Sequence, residues 1–164
     1  DMKFWVIISL LLFLTISQAQ EICIDDLREL YIEASFQVEK ADKLYELTKN
    51  SSIESSYKKF TYHAIAILLR SKFSLNPIYK LKSFREGKER LEKVINQYPK
   101  DIELRFLRFC VQNDTPAILN YKLNIEEDNQ FIDNKLSKSS DELQQFIIPI
   151  FKTLNDGRTS YTGR

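Results

Sequence analysis

The sequence predicts an all-α chain, and three observations carry the prediction. Turn-formers are scarce: 164 residues include only 3 Gly and 4 Pro, which favours a few long elements. Apolar residues recur at spacings of three and four through most of the chain, and no stretch alternates as a half-buried strand does. Helix-opening signatures separate these periodic runs. With 43% apolar and 29% charged residues, the composition suits one hydrophobic core. The expected architecture is five or six helices packed as antiparallel hairpins.

The chain opens on an apolar run from Phe4 to Ile16 behind Lys3, then Ser17-Gln18-Ala19, with small residues where a signal peptidase needs them. Residues 1–19 are therefore expected to be a secretory signal peptide, and the mature protein periplasmic or secreted. The run is too short for a comfortable span of about 20 residues. A membrane enters the picture only if this segment stays uncleaved. From Ile24 to Asn50, Leu27, Tyr31, Ala34, Val38, Ala41 and Tyr45 mark one face of a first helix. Asn50-Ser51-Ser52 ends it, and Ser51 with Glu54 reads as a capping box for a second helix, to about Phe73. That helix carries FTYHAIAILLR and should be the most buried element. Asn76-Pro77, an N-cap followed by proline, opens a third helix to Tyr98. Asp101 caps a fourth, Ile102 to Gln112, and Asp114-Thr115-Pro116 opens a fifth that ends near Leu136. Ser139 and Glu142 form a further box before DELQQFIIPIFKTL, where Pro149 should kink or shorten the last helix. Residues 20–154 are read as a single α-helical domain and 155–164, polar and aperiodic, as a disordered tail.

Within this pattern, Phe84 to Leu107, FREGKERLEKVINQYPKDIELRFL, resembles the junction between two tetratricopeptide repeats. Gly87 takes the place of the small residue that lets paired helices approach, Val94 stands where the repeat has another small residue, and Pro99 follows the helix. The repeat's Leu-Gly pair in the first helix is absent. Residues 60 to 136 also resemble a group of small secreted helical proteins of Bacteroidetes. The likeness implies a short tetratricopeptide-like array and an exported protein, and it carries no catalytic residue with it.

Chemistry-bearing residues are few. His63 is the only histidine and lies on the most apolar helix without ligand-spaced neighbours, so it is expected in the core. Glu126-Glu127-Asp128 point in different directions on a helix and read as a solvated face. Cys23 and Cys110 are the only cysteines; they permit one disulfide or stand as two thiols, and their spacing fits neither zinc nor redox catalysis. No cofactor or metal is implied, no nucleophile–base pattern or phosphate loop occurs, and an enzyme is not expected. A net charge of +1 gives no footing for nucleic-acid binding.

The expected work is binding. Arg70, Lys72, Lys80 and Lys82 lack acids close by in the sequence, and Arg105 and Arg108 share a face. Arg70, Lys72, Arg105 and Arg108 are the candidate partner-facing residues of an adaptor that docks a protein or peptide in the cell envelope. The alternative is a carrier that holds an apolar or lipid ligand in a cavity between helices. An exposed concave groove with Arg and Tyr would favour the adaptor, and a pocket lined by apolar side chains the carrier.

Overall fold

The computed structural model describes residues 22–162, with side chains described as far as residue 157. The expected signal peptide lies outside the described residues. Seven α-helices and one 3-10 turn follow in order: α1 Ile24–Ala34, α2 Val38–Thr48, α3 Ile53–Phe73, α4 Pro77–Gln97, α5 Ile102–Asp114, the turn Ala117–Leu119, α6 Ile125–Leu136 and α7 Asp141–Thr162. No strand occurs among the described residues, so the chain is all-α as its periodicity predicts.

The helix starts follow from local hydrogen bonding. Asn76 Oδ1 accepts from the Ile78 and Tyr79 amides ahead of Pro77, and Asp101 Oδ1 accepts from Glu103 N and Leu104 N. The cap of α3 falls one residue later than expected, on Ser52 with Ser55 in the reciprocal position. The Ser51 hydroxyl instead donates backward to Thr48 O at 2.6 Å. Ser140, and not Ser139, is the residue whose hydroxyl accepts from the first turn of α7, at Leu143 N. That helix runs on through Pro149 to Thr162, across residues that the sequence assigns to the tail.

Two expected helices are wrong in extent. The first is broken into α1 and α2 at Ser35-Phe36-Gln37, where Gln37 is extended (φ −132°, ψ 124°). The Ser35 hydroxyl donates to Tyr31 O, a local bond that competes with continuing the helix. The fifth does not start at Pro116. Thr115 Oγ1 turns back to Val111 O at 2.7 Å, and Asn120 adopts the left-handed conformation (φ 47°, ψ 51°), which ends the 3-10 turn. The helix resumes only at Ile125. Among the described residues, seven helices therefore stand where five or six were expected.

α3 is the centre of the packing. It lies against α1, α2, α4 and α5, while α5 also packs on α6 and α7. Every residue from Phe60 to Leu69 on α3 is buried, and so is every residue from Glu103 to Cys110 on α5. At Gly87 the axes of α3 and α4 come so close that an added Cβ would stand 2.6 Å from Leu68 Cγ and 3.0 Å from Ala64 O. Alternate connections lie at opposite ends of the bundle. The α1–α2, α3–α4 and α5–α6 connections share one end, tied together where Lys72 Nζ reaches Ser35 O and Asp114 Oδ2 and Ser71 Oγ donates to Lys80 O.

Candidate functional site

The basic residues singled out by the sequence go to three different places. Arg105 and Arg108 are buried, not displayed. Arg108 donates two bonds to the carboxylate of Asp128, from Nε at 2.6 Å and from Nη2 at 2.8 Å, and a third to Glu92 at 2.9 Å. Arg105 pairs with the same Asp128, donates to Glu127 at 2.6 Å, and lies 4.7 Å from the Phe131 ring centre. The acidic run of α6 is a solvated face only in part: Glu126 and Glu127 are exposed, whereas Asp128, 0% exposed, turns inward to neutralise two arginines of α5. Arg70 is held by Asp42 at 2.6 Å and lies over the Tyr45 ring. Of the four, only Lys72 stands at an opening.

A second buried charge cluster had no signal in the sequence. Glu103, also 0% exposed, accepts from Arg28 Nε and Nη2, Lys58 Nζ and Tyr62 Oη, all at 2.8 Å. Burial alone would raise its carboxyl pKa. The Arg28 hydrogen bonds and the Lys58 charge outweigh that and hold it below the usual carboxylate range. Glu103 thus receives four protein donors and Asp128 meets two arginines, so both clusters staple helices together. His63 is buried as expected: it packs on the Tyr45 ring, and its Nδ1 stands 3.3 Å from Thr48 Oγ1. Thr48 Oγ1 spends its proton on Leu44 O, so Nδ1–H is the donor to it.

Cys23 and Cys110 are free thiols. Cys23 Sγ caps α1 by accepting from Asp26 N, whereas Cys110 is buried beside the Tyr31 hydroxyl. Tyr31 lies more than two turns along α1 from Cys23, a rise of about 12 Å, which is beyond disulfide reach. Burial pushes the Cys110 thiol up to about 12.

The opening beside Lys72 is an apolar cleft of about 460 Å³ between α1, α3, α4, α5 and α7. Its walls include Ile65, Leu68, Leu69, Phe84, Val111 and Ile150. The serine and threonine hydroxyls in the lining are already spent on backbone carbonyls, Ser35 on Tyr31, Ser71 on Lys80 and Thr115 on Val111, and the Tyr31 hydroxyl lies beside the Cys110 thiol. The wall therefore presents little unpaired polarity to a ligand. Charge is confined to the mouth, where Lys72 pairs with Asp114 at 2.9 Å and Lys80 has no ion pair among the described residues. The site thus combines an apolar interior with the Lys72–Asp114 pair and the Lys80 cation at the rim. Sequence reasoning set Lys72 and Lys80 apart as cations without nearby acids, yet it missed the cleft, whose walls come from five helices. Phe36, at the mouth, lay outside the apolar stripe of the expected first helix; that mismatch was the one available sign of a break.

No protein-family model, curated protein or solved structure matches the chain.

Proposed function

We propose that this is an exported helical carrier that binds the acyl chain of an amphipathic anion, such as a fatty acid, in the cleft. The observation that carries the reading is a cavity of about 460 Å³, apolar within and cationic only at its mouth. That volume lies inside the roughly 300–1,000 Å³ range of small-ligand sites. Export rests on the sequence of residues 1–19, with its apolar run and small-residue exit. The arrangement is read as tetratricopeptide-like at the α3–α4 hairpin, supported by the close approach at Gly87 and by Pro99 in the turn to α5. No residue set points to catalysis in this reading.

Docking of a protein or peptide partner in the envelope is the second reading. What favours it is exposed apolar side chains at the connections around the cleft mouth, Phe36 and Leu75 foremost. Arg105 and Arg108 play no part in it, because both are spent on Asp128. Palmitate titrated into the protein and into Val111→Phe separates the two. Saturable binding lost in the variant, whose larger ring fills the cleft, supports the carrier; no binding by either protein leaves the adaptor.

A further inference from the structure

The two ends of the bundle differ in what their connections carry. At the end that bears the α2–α3, α4–α5 and α6–α7 connections, the chain reads Lys49-Asn50-Ser51-Ser52, Tyr98-Pro99-Lys100-Asp101 and Ser137-Lys138-Ser139-Ser140. These are turn and capping residues, and the one aromatic among them, Tyr98, stacks on Tyr57. At the cleft end, all three connecting regions hold out a bulky apolar group. Phe36 is 78% exposed between α1 and α2; Leu75 (99%) and Ile78 (80%) lie at the turn into α4; Ile118 (91%) lies on the 3-10 turn.

We propose that this end is a docking surface for an anionic lipid bilayer, through which the cleft takes up and releases its ligand. The proposal rests on the acyl-carrier reading. Protein interfaces gather aromatic and arginine anchors in a packed centre. Here the apolar groups are mostly aliphatic, are spread over three separate connections, and lie at the end that bears the mouth of an apolar cavity. A surface of this kind fits an acyl layer that flows around each side chain. Lys80 and Lys82 lie exposed on the first two turns of α4 with no ion pair among the described residues. Their long stems can lie against hydrocarbon while the ammonium groups stay with lipid phosphates. Asp114, the only carboxylate in the cleft lining, is neutralised by Lys72, so it does not repel an anionic surface. No helix among the described residues is long and apolar enough to cross a membrane, so the contact through this end is peripheral.

The test uses the mature chain, residues 20–164, carrying Cys23→Ser and an environment-sensitive fluorophore at Leu75→Cys or at Lys100→Cys. Cys110 is buried and does not compete for label. The probe is vesicles of phosphatidylglycerol and phosphatidylcholine, beside vesicles of phosphatidylcholine alone. The expected result is a blue shift at 75 with the anionic vesicles, a weaker one with neutral vesicles, and none at 100. Adding Phe36→Ser and Ile118→Ser raises the lipid concentration at half-shift by about tenfold or more. Both positions are exposed, and circular dichroism verifies that the fold is kept. An unmoved label at 75, or an equal shift at 75 and 100, overturns the proposal. So does a shift at 75 that grows with protein concentration without lipid, which would mean that a second copy covers this end. Palmitate binding in lipid-free solution is measured on the same samples. Palmitate binding with an unmoved label overturns docking alone; no palmitate binding overturns the carrier reading itself.

Discussion

Glu103 and Asp128 are the residues on which this core is most exposed to damage. Each is a fully buried carboxylate that serves cations from other helices, and neither repays its desolvation unless all its partners are in place. Glu103→Gln keeps the shape but removes the buried counter-charge of Arg28 and Lys58, which retain only Asp25 at 2.6 Å and Asp101 at 3.8 Å. The expected cost is about 2–3 kcal/mol, below the range for fully dry pairs because Lys58 keeps some water, read as a lower urea midpoint at unchanged slope. Acid acts on Glu103 and on His63. Burial, helped by the Arg90 charge, lowers the pKa of His63 below the 6.5 of an unfolded histidine. The unfolded chain therefore binds more protons, and stability falls as pH drops below about 6.5. Glu103, lowered in turn, adds a second loss below its usual carboxylate value near 4.5. Urea midpoints measured from pH 7 to about 3 should fall in both windows, and His63→Gln should flatten the upper one alone.

At the level of elements, the contact between α3 and α4 is the tightest fit in the fold. Gly87→Ala gains helix propensity, but its methyl group would press on Leu68 and on the Ala64 carbonyl, which belongs to backbone and cannot turn aside. A net loss of about 1–2 kcal/mol in thermal or urea unfolding is expected. A neutral or stabilised variant would show that the two helices have room to part. Much at this level was legible in the sequence. Asn76-Pro77 and Asp101 start helices where their chemistry says they must, because a cap is a local event. The break at Phe36 and the late start of α6 were not legible. Neither involves glycine or proline as a stop, and both depend on hydroxyls, Ser35 and Thr115, that can bond backward as readily as forward. The buried charges were hidden for a different reason. Arg108 and Asp128 lie 20 residues apart, and Arg28 and Glu103 lie 75 apart, so no helical spacing links them. A rule based on neighbours three or four apart could see only the glutamates of α4 as partners.

For the whole molecule, the proposed function turns on one volume that no single helix encloses. Its walls come from segments that begin near Tyr31 and end at Leu154, which is why composition hinted at a cavity without locating it. The buried ion clusters keep α1, α3, α5 and α6 in register, and the cleft is the gap that remains at the end where the connections are apolar. Carriage of an acyl chain is the central claim, and the most direct measurement is methyl NMR of the protein during a palmitate titration. The account predicts saturable shifts at Ile65, Leu68, Val111, Ile150 and Leu154, with Ile53 at the start of α3 unmoved, and loss of the response in a folded Val111→Phe variant. Unshifted cleft methyls at saturating palmitate, or shifts that survive Val111→Phe unchanged, would contradict it.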